Sequence, residues 1–110
     1  MFALLVAVLC AACGSSFPQP NDQFAAAQKD VGRAQEGGAQ AVPDAKLHLQ
    51  LANESLSKAK ELMDKDNKRA ASLISRASAE AELALALAKA TTAKADAQEA
   101  SDKLAKAKGK

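Results

Sequence analysis

The stretch NKRAASLISRASAEAELALALAKATTAKADAQEASDKLAKAK, Asn67 to Lys108, contains neither Gly nor Pro. Nearly every second or third residue in it is Ala, the strongest intrinsic helix former because it loses no side-chain entropy on ordering. A single unbroken helix over these residues would be about 60 Å long at 1.5 Å per residue. Propensity alone does not hold such a helix, since most helical stability in proteins comes from packing of one face. The rest of the chain must therefore supply something for it to pack against.

Apolar residues recur at Ala70, Ile74, Ala77, Ala81, Ala84 and Ala88 in alternating steps of four and three, the spacing of one helical face. The large side chains Leu73, Leu83, Leu85 and Leu87 all lie before Thr91, and beyond it only Leu104 remains. The first half of this helix is thus predicted to pair with a neighbour. The second half is predicted to be a solvated helix or to fray unless a partner covers it.

Upstream, Ala45, Leu49, Ala52, Leu56, Ala59 and Met63 form a strict heptad, flanked by Leu47, Leu51 and Leu62. Val42-Pro43-Asp44 opens this helix: Pro suits the first helical position, and Asp44 complements the macrodipole. Glu54–Lys58, Glu61–Lys65, Glu99–Lys103 and Asp102–Lys106 are i,i+4 pairs in the favourable order. The polar patch Asp64 to Lys68 breaks the apolar pattern. It reads as a turn with Asp66 capping the next helix. A continuous helix through it would keep the register of Met63, but a hairpin buries more apolar surface. A further helix begins after Pro20, with Asn21 or Asp22 as N-cap. It carries Phe24, Ala27, Val31 and Ala34 on one face and ends near Glu36, where Gly37-Gly38 supplies a left-handed cap.

The expected fold is therefore all-α: an antiparallel helical hairpin or three-helix bundle with a long Ala-rich C-terminal helix. The expected helices span about 21–36, 43–64 and 67–108 within a domain over 21–110. The chain has 110 residues and a net charge of +2, with three Phe and no Trp or Tyr. Ala buries little area, so a thin bundle is expected and a deep enzymatic pocket is not. Lys residues alternate with acids, whereas a nucleic-acid footprint would be one-sided, so no nucleic-acid partner is expected.

The first residues read as an address. Phe2 to Leu9 is apolar but far shorter than the ~20 residues of a spanning helix, and it has the length of a signal-peptide core. It leads into Ala11-Ala12-Cys13, which resembles the bacterial lipobox, where a signal peptidase cuts before a Cys that carries lipid. Cys10 stands where that pattern usually has an aliphatic residue, and no Lys or Arg precedes the run. Residues 1–12 are thus expected to be a lipoprotein signal peptide, Cys13 the lipidated residue, and 13–20 a Ser/Pro-rich tether. Gly14 in place of Asp resembles lipoproteins sorted to the periplasmic face of the outer membrane. If the three helices run up, down and up, the tether and the turn at Asp64–Lys68 share one end. The segment from Thr91 to Lys108 then projects beyond the bundle by about 25 Å, away from the lipid.

Gly38-Ala39-Gln40-Ala41-Val42-Pro43-Asp44 is similar to the "G-A-x-x-Y-A-P-E/D" motif of bacterial lipoproteins containing domain of unknown function 4398. In those proteins an Ala-rich "A-x-x-L-x-x-x-A-x-x-[DE]-A-x-L-A" helix follows a short acidic turn. The residues Ala70-Ala71-Ser72-Leu73-Ile74-Ser75-Arg76-Ala77 and Ala79-Glu80-Ala81-Glu82-Leu83-Ala84 resemble it. The likeness covers about residues 24–90. Ala41 and Val42 stand where the family has an aromatic residue before the Pro. The resemblance implies an envelope lipoprotein of unknown molecular function.

Catalytic signatures are missing from the sequence. His48, the single His, has no Cys or second His near it and reads as a surface residue. Glu80 and Glu82, two apart on a helix, do not share a face. No phosphate-binding Gly loop, nucleophile elbow or zinc spacing occurs. Asn53-Glu54-Ser55 matches a glycosylation sequon only incidentally, and Thr91-Thr92 is a mild dip in helix propensity. The expectation is a lipid-anchored, non-enzymatic envelope protein without cofactor or metal. It would act as a helical structural or interaction module on an envelope protein or on peptidoglycan, and homo-oligomers are possible. The alternative is a tether resembling the murein lipoprotein, joined to peptidoglycan through Lys110.

Overall fold

In the computed structural model the structure describes residues 17–109. Among these, three α-helices follow one another: α1 (Asn21–Glu36), α2 (Pro43–Leu62) and α3 (Asn67–Lys108), with a 3-10 turn at Ala39–Ala41 between the first two. The all-α class expected from the sequence is the class observed. The leader and Cys13 lie outside the described residues, as does Lys110.

Each helix begins and ends for a local reason. At α1, Pro20 is the capping residue, and no side chain caps the first turn. The sequence points to Asn21 or Asp22 for that role. Asn21 instead already has helical geometry, and its side-chain amide donates to Gln19 Oε1 at 3.1 Å. Asp22 sits inside the first turn, where its charge faces the positive helix end. At the far end the Gly37 amide donates to the Arg33 carbonyl at 2.9 Å, and Gly38 takes the left-handed conformation with φ +88°. The two glycines differ. A Cβ on Gly38 would meet nothing, so its requirement is conformational. A Cβ on Gly37 would come within 2.4 Å of Leu85 Cδ1, so Gly37 lies close against α3 and a side chain there would displace the end of Leu85.

The α2–α3 connection is a turn, not a continuous helix. Met63 is extended and Asp64 has φ +75°, so α2 stops at Leu62, two residues short of the boundary expected from sequence. The amides of Lys65 and Asp66 both donate to the Leu62 carbonyl, at 3.0 and 2.7 Å. The Asp66 carboxylate accepts from the Arg69 amide at 3.0 Å, the N-cap anticipated for α3. The Asn67 side chain closes the other side, accepting from the Asp64 amide at 2.8 Å. With the helix broken there, Glu61 and Lys65 no longer share a face and form no ion pair. Glu99–Lys103 does close, at 2.6 Å, whereas Asp102 accepts from Gln98 Nε2 instead of meeting Lys106.

Two contacts fix the directions. The Asn67 side-chain amide donates to the Phe17 carbonyl at 2.9 Å, so the chain leading into α1 lies beside the start of α3. Gly37, just past α1, lies against Leu85. Hence α1 runs parallel to α3 along its first half. His48 and Glu80 meet across α2 and α3. The short turn after Leu62 sets the end of α2 beside the start of α3, while His48, nearer the start of α2, meets Glu80 farther along α3, so the two helices are antiparallel. The order is up, down, up. α3 packs on both α1 and α2, which touch each other much less.

The core is a shared Ala seam. The heptad residues Ala45, Leu49, Ala52, Leu56 and Ala59 of α2 are buried against Ala70, Ile74, Ala77, Ala81, Ala84 and Ala88 of α3. Ala27, Val31 and Ala34 bring α1 onto the same seam. Among the described residues of this core, only Val31, Leu49, Leu56 and Ile74 are larger than Ala. Small side chains let helix axes approach toward the ~8 Å end of the usual range. Gly38 and Ala41 are exposed, while Ala39 between them is buried.

Candidate interaction surface

Burial along α3 ends abruptly. Ala88 is buried, and every described residue from Lys89 to Gly109 is exposed. The helix nevertheless continues without a break to Lys108. Thr91 and Thr92 mark the boundary. Their hydroxyls donate to the carbonyls of Leu87 and Ala88, at 3.0 and 3.2 Å. This back-bonding to residue i−4 lets a residue of modest helix propensity stay inside a helix. About 30 Å of bare helix therefore stands beyond the last packed turn.

The free segment starts level with the mouth of α2 and leads away from the end where Phe17 meets Asn67. Along it, acidic and basic residues are interspersed with Ala, and the one large apolar side chain, Leu104, is 57% exposed. Leu47 on α2 and Leu83 on α3 are likewise exposed, at 53% and 43%. Lys103, Lys106, Ala107 and Gly109 border a depression near the end of the helix. Nearly all of it belongs to one side of one helix, so it offers no converging groups of the kind that hold a small ligand.

The chemistry-bearing side chains the sequence singled out are placed as follows. His48 is not a free surface residue: it is half-buried, and its Nδ1 lies 2.6 Å from Glu80 Oε2. An ionised carboxylate only accepts, so toward an ionised Glu80 the donor is the Nδ1–H tautomer. The bond ties α2 to α3 and pins the antiparallel register. Sequence reading missed it because the two residues are far apart in the chain and each alone looks like an ordinary polar flank. Glu82, two residues on, points away from His48's side and is exposed. Among the described residues, no group of three His, Cys, Asp or Glu side chains is placed to hold a metal. No helix among them is long and apolar enough to cross a membrane. Asn53 is used internally, its amide donating to the Leu49 carbonyl at 3.0 Å, and Ser55 of the same sequon is buried in the seam.

No curated protein and no solved structure shows significant similarity to the chain. A family model does match, over residues 22–100. That span covers nearly all of α1, all of α2 and α3 as far as Ala100, so it extends past Ala88 into the first part of the bare helix. With most of its length matched, the chain belongs to the family defined by the domain of unknown function DUF4398.

Proposed function

We propose that this is a lipid-anchored, non-enzymatic bacterial envelope protein, attached through Cys13 to the periplasmic face of the outer membrane. Its bundle would serve to hold the distal half of α3 out as a helical interaction module. The anchor is supported by the sequence: an apolar run of signal-peptide length followed by Ala11-Ala12-Cys13-Gly14. The presentation role is supported by one geometric observation. The Phe17–Asn67 hydrogen bond holds the residues that lead into α1 beside the start of α3. The exposed end of α3 is then about 60 Å from the anchored end. A bundle whose core is mostly Ala, with no converging polar cluster among the described residues, suits a spacer better than a catalyst.

Mass spectrometry of the mature protein tests the anchor. The expected result is an N-terminus at Cys13 bearing lipid, with Met1–Ala12 removed. Cys13→Ser should leave an unprocessed precursor. A mature chain beginning elsewhere and released without detergent would overturn the proposal.

The direction of α3 also suits the second reading, attachment to peptidoglycan through Lys110, because the helix leads away from the anchored end toward that residue. Purified sacculi separate the two. Protein that stays with boiled sacculi and is lost in Lys110→Arg supports the covalent tether. Complete release by detergent supports the free module.

A further inference from the structure

α3 carries a second heptad on the face opposite the buried seam. Ala79, Leu83, Ala86, Ala90, Ala93, Ala97, Ala100, Leu104 and Ala107 follow in alternating steps of four and three, and all of them are exposed. This run contains both exposed leucines of α3, Leu83 and Leu104. Unlike the first heptad, it does not stop at Ala88 but crosses the boundary between the packed and bare halves. A heptad seam open along its whole length is the surface a coiled-coil partner covers.

The charges beside the seam select one partner and one register. The residues preceding Leu83, Ala90, Ala97 and Leu104 are Glu82, Lys89, Asp96 and Lys103, which alternate in sign. In an antiparallel pair of helices these flanking positions face their own kind on the neighbour. We infer that the second seam is the interface of an antiparallel homodimer of α3, with Glu82 opposite Lys103 and Lys89 opposite Asp96 of the second copy. Two-fold symmetry repeats both pairs, so the four contacts along this flank of the seam are attractive, and the other flank sets Leu87 beside Lys94 and Glu80 beside Ser101 with no like charges opposed.

The same register matches the seam side chains. Leu83 faces Ala100 of the second copy, Leu104 faces its Ala79, Ala86 faces its Ala97, and Ala90 faces its Ala93. Each Leu thus meets an Ala, and the central layers are Ala on Ala, which permits close approach. A shift by one heptad either way sets Lys89 against Lys103 or Glu82 against Asp96. A parallel in-register pair sets Lys89 against Lys94 and Lys103 against Lys108. Like charges at these positions disfavour both alternatives.

α1 and α2 cover the opposite face of α3, and the bare half of each copy lies along the back of the other's bundle. Lys103 keeps its contact with Glu99, one turn away on the same helix, and reaches Glu82 of the second copy from the same ammonium. The starts of the two α3 helices lie about 70 Å apart at opposite ends. If both copies are anchored in one leaflet, the dimer lies along the membrane, whereas a single copy is free to stand away from it. The inference itself concerns α3 and holds whether or not the chain is lipidated.

Zero-length carbodiimide crosslinking of the full chain tests it. Within one copy, Glu82 and Lys103 are about 30 Å apart along a continuous helix. An isopeptide bond between them can form only between copies. Mixed unlabelled and 15N-labelled protein should show this Glu82–Lys103 crosslink as a heavy–light pair. Sedimentation equilibrium of the full chain in mild detergent should show a monomer–dimer equilibrium. Lys103→Glu should raise its dissociation constant about tenfold, by replacing two attractive contacts with repulsive ones. Glu82→Lys combined with Lys103→Glu should bring it back to near the wild-type value. A monomer at all concentrations, a dimer indifferent to the charge swap, or crosslinks only to another protein would overturn the inference.

Discussion

α3 is one helix with two halves that live under different physics. From Asn67 to Ala88 it is packed on two sides by α1 and α2, and its heptad Ala residues are buried. From Lys89 to Lys108 the composition is similar, still rich in Ala with alternating charge, yet nothing is buried. Ala95 continues the spacing of Ala84 and Ala88, but α1 and α2 have ended before they reach it. Identical local propensity therefore supports a fixed core in one half and a bare rod in the other. The difference is made by how far the neighbours extend.

The comparison is broken most severely at the seam. Leu49 is 1% exposed and, with Ile74, one of two large side chains wholly buried among the described residues. Leu49→Asp places a carboxylate there without a partner, a burden of several kcal/mol against the ~5–15 kcal/mol that holds a typical domain. The cooperative thermal transition seen by circular dichroism should vanish, with most helical signal lost at 37 °C. A transition near the wild-type temperature would mean that α2 does not pack through Leu49.

A paired substitution sharpens the contrast between the halves. Ala84→Leu overpacks a close seam and should destabilise by about 1–3 kcal/mol. Ala95→Leu, at the same heptad register but exposed, should change stability by less than ~0.5 kcal/mol. Chemical denaturation of the two variants gives the comparison directly. Equal losses would show that the distal half is packed in solution.

The smallest effect on the bundle is expected from the largest deletion. Removing Thr91–Lys110 takes away no buried residue among those described, so the melting temperature of the remainder should stay within a few degrees of the full chain. Helical signal should fall roughly in proportion to the residues lost. The proposed envelope function, in contrast, should disappear, as read by complementation of a deletion strain. Collapse of the truncated bundle would mean that the distal half folds back onto it.

Much of this was legible in the sequence because it depends on local rules. The heptads of α2 and α3 predict which faces are buried, and Ala45, Leu49, Ala52, Leu56 and Ala59 are buried in α2, joined only by Ser55 beside Leu56. Pro43 at the first turn, Asp66 as a cap and Gly38 in the left-handed conformation each follow from the backbone preferences of one residue type. The end of α2 was less legible. The stop at Leu62 depends on Asp64 adopting positive φ, which Asp tolerates but does not announce.

What the sequence determined by itself is the set of helices, their buried faces and the break between α2 and α3, since periodicity and capping act over a few residues. Three things were decided only in the tertiary structure. One is that α1 rides chiefly on α3 and not on α2, so that Gly37 lies against Leu85. Another is the His48–Glu80 bond, which joins residues whose proximity exists only once the hairpin closes. The third is where cover ends along α3. Helix propensity is indifferent to that point, because Ala, Lys and Glu favour a helix with or without neighbours. It is set by the lengths of α1 and α2 and by the turn that starts all three from fixed ends. Only with those in place does the exposed heptad from Ala79 to Ala107 become distinguishable from the buried one.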